Sequence, residues 1–491
     1  MSDDIETAAG PTGDMDPEAY RRAAHRVADW TADYLRDLER FPVLSPGRPG
    51  TVRRGLPPAP PAHGEPISAV LADIEELLIP ATTHWQSPGF MAYFASSGSG
   101  PGILGETLAA ALNVNAMLWR TAPAATELEQ VTLDWLRQLV GLEQPMFGVI
   151  NDTASSSTLY ALAAAREAQT DLRIRELGMA GRPELPRLRY YASTEAHSSV
   201  EKAGIVLGIG KDGLRSIPVD ERFRMDPVAL RQAIHEDVAA GLRPFAVVAT
   251  AGTTSTTSVD PVPAIAALCE QHGLWLHVDA AYGGAAAIAP ELRWVLDGAE
   301  RADSIVINPH KWLFTPIDCS VLWTRRPDVL RGAFSIVPEY LTTADGSDLE
   351  APNLMDYGTS LGRRMRALKL WMVLRYFGGD GLAQRIREHC EYASMLARWV
   401  DGERDFELLA PAPLSVVCLR AHPPGLDDPG TLDTLNQRIV ERINTGGHFF
   451  VSHTKLHGAY AIRVAFGNLR QEQRHARGVI AALRGAIDDV G

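Results

Sequence analysis

Lysine is scarce in this chain, cysteine is scarcer, and long apolar runs are absent. Of the 47 basic residues only five are lysines: Lys202, Lys211, Lys311, Lys369 and Lys455. Any catalytic amine must come from that short set. The four cysteines, Cys269, Cys319, Cys390 and Cys418, are scattered with no CxxC pair, which argues against a zinc module or a disulfide framework. No HExxH pair occurs either, so no metal is expected. No stretch reaches about 18 uninterrupted apolar residues, so no membrane span is expected. The opening residues, MSDDIETAAGPTGDMDPEAY, carry acid where a secretory leader needs basic residues and an apolar core. A cytoplasmic location is the expectation. The net charge of −13 argues against nucleic acid or an anionic membrane as the main partner.

What is present is ordinary soluble-protein material in quantity. With 491 residues, 46% apolar and 22% charged, the chain can bury a large core and form two or three structural parts. Residues 1–15 read as a tail. Asp16-Pro17-Glu18 then reads as an N-cap with proline at the first helical position. Val27, Trp30, Thr31, Tyr34, Leu35 and Leu38 follow at helical spacing and give that helix one apolar face. Eight prolines between Phe41 and Pro66 mark an extended connector.

The middle of the chain alternates helical stretches (103–119, 126–139, 156–169) with short apolar runs. The runs at 188–193, 245–252, 274–280, 304–308 and 319–323 predict buried strands. Near-continuous apolarity with helices between them points to a mainly parallel sheet covered on both faces. The connection between the last two runs is short enough for an antiparallel pair. A helix over 365–377 is predicted to stop at Gly378-Gly379-Asp380-Gly381, and strands at 414–419 and 460–466 suggest a smaller α+β domain. The expected division is an N-terminal helical segment and linker at 1–98, a large α/β domain at 99–368 and a small domain at 369–491.

Reactive side chains concentrate where strands end. His277 and Asp279 close the run 274-LWLHVDA-280, and small residues follow. Ligands in parallel sheets bind beyond the carboxyl ends of the strands. The run 304-SIVIN-308 leads straight into Pro309-His310-Lys311-Trp312. A lysine there is either a buried amine, which is costly without a partner, or a side chain snorkelling to the surface. The other four lysines read more simply. Lys211 is in a turn, Lys202 is on a helix, Lys369 is on a helix with its amine exposed, and Lys455 is in a polar loop.

Several segments, in order, carry a resemblance. NPHKW at 308–312, HVDAAY at 277–282, AHSSVEKAG at 196–204, HWQSPGFMAYF at 84–94, PAATELE at 123–129, TAGTT at 250–254 and LGRRMRALKLW at 361–371 resemble the signatures of group II pyridoxal-phosphate-dependent decarboxylases. Trp312 and HWQSP resemble the aromatic-amino-acid branch more than the glutamate branch. The resemblance implies fold type I, the aminotransferase-like α/β fold, with a mainly parallel seven-stranded sheet and a smaller C-terminal domain. It also implies pyridoxal 5'-phosphate as cofactor and a homodimer with active sites at the subunit interface. The implied reaction is decarboxylation of an aromatic L-amino acid to the arylalkylamine.

By the same resemblance Lys311 is the Schiff-base lysine and Asp279 the carboxylate beside the ring nitrogen. His197 stacks on the ring, Ala281 meets its opposite face, and Thr250 lies near the ring oxygen. Ala154 and Ser155 are implied phosphate ligands at a helix start, with Ser304, Asn308 and His310 close by. Asp152 departs from the pattern, standing where glycine is usual, and a carboxylate beside a phosphate is repulsive. Tyr340 matches a lid tyrosine that returns a proton to the α-carbon; members with phenylalanine there tend to make aldehydes. Trp85, Tyr93, Phe94 and Ser96 are implied substrate contacts, joined by Asn115 and Met117 of the partner and by Gly362, whose small size leaves room for an indole. The rival readings are an oxidative decarboxylase making aldehyde, a decarboxylase of acidic amino acids, and a non-catalytic cofactor-binding protein.

Overall fold

The computed structural model describes residues 13–336 and 351–490. Helix α1 (Pro17–Arg36) starts as its sequence predicts, with the Asp16 carboxylate accepting from the Glu18 and Ala19 amides. Its last turns dock through the Tyr34 hydroxyl, 2.9 Å from His84 Nδ1. The proline-rich connector contains one short helix, Thr51–Gly55. Helix α2 (Gly100–Leu112) is shorter than the predicted 103–119 stretch, because Asn113 takes the left-handed conformation (φ 46) and ends it. Helix α3 (Pro123–Leu139) follows.

Seven strands form the large sheet: β1 (Phe147–Asn151), β2 (Leu188–Ser193), β3 (Leu214–Ile217), β4 (Arg243–Thr250), β5 (Trp275–Asp279), β6 (Ser304–Ile307) and β7 (Ser320–Thr324), in the order β1-β7-β6-β5-β4-β2-β3. β3, β2, β4, β5 and β6 run parallel, whereas β7 is antiparallel to both β6 and β1. Helices α4 (Ala154–Glu167), α5 (Ser199–Val206), α6 (Pro227–Ala239) and α7 (Val262–His272) lie among these strands. Alternate strand residues belong to different cores. Tyr191, Val247, Ala249, Leu276 and Val278 join one apolar cluster, and Tyr190, Ala192, Ala246, Val248 and Trp275 join another. Period-two alternation thus buries both faces, as a parallel sheet requires.

Helix α8 (Ala367–Gly402) leads out of the large core. Glycine at 378 kinks it at φ 61, but the helix resumes instead of stopping as the GGDG sequence predicts. Residues up to Ile386 pack in the large core, and those from Tyr392 onward pack in a second one. The change of core therefore comes well after residue 369. The second core lies under an antiparallel sheet, β8 (Phe406–Leu408), β9 (Val416–Ala421), β10 (Ser452–Leu456) and β11 (Ala459–Ala465), in the order β10-β11-β9-β8. Helices α9 (Pro429–Thr445) and α10 (Gln473–Val490) cover it. Lys455 stands on β10, not in a loop.

Candidate active site

The parallel strands β4, β5 and β6 end side by side. Thr250 pairs with Asp279, and Asp279 with Val306, so these ends open to one place. Asp279 is 5% exposed, and one of its carboxylate oxygens accepts the Ala281 amide at 3.1 Å. Directly past β6 the chain makes the helical turn Pro309–Trp312, closed by the Lys311 amide donating to the Asn308 carbonyl at 2.9 Å. That turn commits Lys311 to the strand ends. Its Nζ lies over the Phe94 ring, 5.2 Å from the centroid. Phe94 in turn stacks on Tyr282 at 3.7 Å, and Tyr282 on Trp312 at 4.6 Å.

Electrostatics place the charged groups in one neighbourhood. Burial pushes the Lys311 amine below its ordinary pKa, Asp279 works against that shift, and Arg463 adds to it. Burial likewise lowers His197, opposed by Asp279 and reinforced by Lys311. His197 Nδ1 also accepts the Ser199 amide at 3.2 Å, so one ring both starts α5 and faces this charge cluster. His310 is pushed down to about 4, by burial first and then by Lys311, and its Nδ1 accepts the Cys319 amide at 2.9 Å.

Among the buried polar atoms here without a hydrogen-bond partner among the described residues are Thr250 Oγ1, Asn308 Oδ1 and Ser193 Oγ. Buried polar groups are normally paired, and leaving one unpaired costs about 1–3 kcal/mol. The start of α4 lacks side-chain pairing too. Among the described residues no side chain caps that helix, so its first-turn amides and dipole are available to an anion. A polar, planar group with a ring nitrogen and an anionic end matches this set of donors, acceptors and amine.

Not every predicted residue falls here. Ser304 begins β6, and its hydroxyl is bonded to Trp275 Nε1 and His277 Nδ1, each at 2.9 Å. Ser304 is thus placed among core side chains at the start of β6. Ala281, 7% exposed, directly follows the strand end. Trp85 and Tyr93 are 41% and 53% exposed and stack with centroids 6.0 Å apart. Ser96 follows Phe94 on the same segment. Asn115, Met117 and Gly362 form a separate group: the Arg363 amide donates to Asn115 Oδ1 at 2.9 Å, and a Cβ on Gly362 would meet only Asn115 Nδ2, at 3.9 Å. Tyr340 lies outside the described residues.

Arg463, on β11, escaped sequence reasoning. It is 3% exposed, and its guanidinium carbon lies 4.8 Å from the Phe94 centroid. Nη1 donates to the Tyr93 carbonyl at 2.7 Å, Nε donates to the Thr254 carbonyl at 3.0 Å, and Nη2 has no partner among the described residues. Its signal was present in 460-YAIRVAF-466, where a cation interrupts an otherwise apolar strand. Lys369 is a correction of the opposite kind. It is 1% exposed, with Nζ 2.9 Å from Glu106 Oε2, instead of presenting its amine to solvent.

Known proteins share both sequence and architecture with this chain. An aromatic-L-amino-acid decarboxylase from Catharanthus roseus is 37% identical over 502 residues, covering 100% of this chain and 98% of the relative. A phenylacetaldehyde synthase from a Rosa hybrid cultivar is 38% identical, covering 94% and 92%. The crystal structure of Oryza sativa TDC with PLP and tryptamine superposes with a TM-score of 0.92 at 36% identity, covering 98% of this chain and 99% of that one. The pyridoxal-dependent decarboxylase conserved domain matches residues 49–422. A lysine on a turn past a parallel strand, facing a buried aspartate and unpaired polar groups, is therefore found in a chain that belongs to the pyridoxal-dependent decarboxylase family.

Proposed function

We propose that this chain decarboxylates an aromatic L-amino acid to the corresponding arylalkylamine and CO₂. The observation that carries the reading is the Lys311 amine, its proton affinity lowered, beside Asp279 and a set of buried polar atoms without partners. When bound, pyridoxal 5'-phosphate supplies an electron sink for the pair left on the α-carbon as CO₂ departs. Lys311 is the amine that holds it. The lowered pKa leaves more of that amine neutral, and so nucleophilic, near neutral pH. Asp279 stands to keep a proton on the ring nitrogen, because a buried carboxylate favours the charged form of a neighbouring base. His197 and Ala281 would bound the two ring faces, and Thr250 would meet the ring oxygen. The amides of Ala154 and Ser155 would take the phosphate, with Asn308 and His310 beside it. Arg463 offers a second buried cation on the Phe94 side of the lysine.

The aromatic group fits the side-chain chemistry of Trp85, Tyr93, Phe94 and Ser96. Asn115 and Met117 would be contributed by the partner subunit, and Gly362 would leave room for an indole. Leu104, Leu108 and Leu112 expose an apolar stripe along α2, 60%, 50% and 60% accessible, which a homodimer would cover. The protein is proposed to work as that dimer, in the cytoplasm; all four cysteines are free thiols. Tyr340 is proposed as the group that returns a proton to the α-carbon.

Product analysis tests the whole reading. Holoenzyme is incubated with tryptophan, 5-hydroxytryptophan, tyrosine, dihydroxyphenylalanine, phenylalanine and glutamate. Amine from at least one aromatic substrate and none from glutamate is expected. Stoichiometric hydrogen peroxide with aldehyde would replace it with the oxidative reaction. Tyr340→Phe is expected to move product from amine toward aldehyde; unchanged product would remove Tyr340 from proton return.

A further inference from the structure

Strand β4 outlasts one of its neighbours. Its pairing with β2 ends at Val248, opposite Ala192, whereas its pairing with β5 runs on to Thr250, opposite Asp279. The Ala251 amide donates to the Asp279 carbonyl at 2.8 Å. Successive amides of a strand point to opposite sides, so the Thr250 amide points the other way, to the side where β2 has stopped pairing. A buried amide there needs an acceptor from somewhere else.

Asp260 supplies it. Its Oδ2 accepts the Thr250 amide at 2.7 Å, and its own amide donates to the Thr250 carbonyl at 2.9 Å. One residue thereby makes both hydrogen bonds that a strand partner would have made. It reaches that place because the chain turns back after β4 and pairs Val259 with Ala251. Asp260 Oδ1 accepts the Met225 amide at 2.7 Å, which ties in the turn that pairs Val219 with Met225. The side chain is 2% exposed. Asp220, Arg222 and Arg224 from that turn, and Asp297 from across a cavity of about 470 Å³ that Asp260 also lines, are the charged groups around it. Burial pushes its carboxyl up to about 6, against the pull of the two amides.

Ala249 and Val278 turn to one face of the sheet, so Thr250 and Asp279 emerge side by side on the other. There Thr250 Oγ1 is buried without a partner among the described residues. We infer that Asp260 is a positioning residue: by gripping the main chain of Thr250, it holds that hydroxyl where the cofactor ring oxygen would meet it. The inference rests on the proposed contact between Thr250 and the ring oxygen. Asp260 grips both amides well only while charged, because a proton on one oxygen spoils that oxygen as an acceptor. The grip is therefore full above about pH 6 and relaxes below it.

The test is a double-mutant cycle on the apoenzyme, titrated with pyridoxal 5'-phosphate near pH 8 and read by visible absorbance and protein fluorescence. Thr250→Val and Asp260→Ala should each raise the Kd about fivefold, the scale of one hydrogen bond. Together they should cost little more than either alone, because Asp260 acts through a hydroxyl that the double variant no longer has. Losses that multiply to about 25-fold would overturn the inference, since Asp260 would then act elsewhere. So would an Asp260→Ala Kd within about twofold of wild type. Near pH 5 the ratio of the Asp260→Ala Kd to that of wild type should shrink, and an unchanged ratio would count against the charged grip. If Asp260→Ala does not fold, hydrogen exchange of the wild-type protein decides. Between pH 8 and pH 5 the Thr250 amide, corrected for intrinsic rate, should lose about tenfold protection relative to the Val248 amide; equal protection at both would overturn the inference. Thr250→Val binding the cofactor as tightly as wild type would instead remove the Thr250 contact, and this inference with it.

Discussion

Lys369 and Lys311 both reach into the large α/β unit, but the protein treats their charges in opposite ways. Lys369 is 1% exposed and has the Glu106 carboxylate at 2.9 Å. That carboxylate is brought close because Gly105, beside it, lacks a side chain: a Cβ there would come within 2.6 Å of the Lys369 Cα. Helices α2 and α8 can cross at that point only around glycine. Lys311 has an aromatic ring beneath it, a buried arginine as a neighbour, and among the described residues no carboxylate within ion-pair distance. An ion pair with a carboxylate ties a buried ammonium between two helices. An unpaired one is pushed toward its neutral form, and a neutral amine can do chemistry. The same contrast extends to hydroxyls. Ser157 Oγ has Ser320 Oγ at 2.9 Å, whereas Thr250 Oγ1 has no partner among the described residues.

The sharpest way to break this comparison is to exchange the fates of the two lysines. Lys311→Ala is expected to cut turnover on the order of 10³-fold or more and to abolish the visible absorbance of lysine-bound cofactor. Persistence of that band in purified Lys311→Ala would end the assignment.

Acid tests whether neutrality is a property of the surroundings as well. Burial pushes His277 and His310 down to about 4 and His389 to about 3, from an ordinary 6.5. The unfolded chain then takes up these protons first. Stability is therefore full above pH 6.5 and falls as pH drops from there toward 4, by up to roughly 1.4 kcal/mol per pH unit for each imidazole. Urea midpoints measured across that window check it. A flat profile would mean that these rings are not held neutral.

How far the site could be read from the sequence depended on how locally each role is encoded. Lys311 and Asp279 were legible because strand, turn and reactive side chain are contiguous, and the strand ends need only line up. The antiparallel pairing of β6 and β7 was legible for the same reason, since their connection is too short for a crossover. Arg463 was not. It arrives from β11 in the second core, and nothing near it in sequence says that it will share the Phe94 ring with Lys311. The partners of Ser304 were not legible either, because Trp275 and His277 come from a neighbouring strand that only register brings opposite. The strands β1 and β3 escaped because each lies at a sheet edge and is only partly buried, without the continuous apolar run of the central strands. The Gly378 kink read as a stop because glycine marks both, and only packing beyond it keeps the helix going.

A smaller effect separates the structural lysine from the reactive one. Lys369→Met keeps the apolar stem and removes the ammonium, leaving Glu106 with Arg364 as its remaining cation. Breaking a buried pair on one side usually costs 3–5 kcal/mol, but the surviving arginine and the partial exposure of Glu106 reduce that to about 1–3 kcal/mol. Chemical denaturation should show this loss while the cofactor band stays. A variant as stable as wild type would mean that the pair does not hold α2 against α8.

The smallest effect is expected where a hydroxyl is already unpaired. Thr250→Val removes a buried oxygen that has no partner among the described residues, so the apoenzyme should be unchanged or gain up to about 1 kcal/mol. Ser157→Ala removes a paired hydroxyl and strands Ser320, so it should cost about 1 kcal/mol or more. If the unpaired hydroxyl is kept for the cofactor, Thr250→Val should also weaken pyridoxal 5'-phosphate binding a few-fold, roughly the value of one hydrogen bond. The two measurements then move in opposite directions for one substitution. A Thr250→Val apoenzyme that loses as much stability as Ser157→Ala would show that the hydroxyl serves the fold, and the contrast between satisfied and waiting polar groups would not extend beyond the lysines.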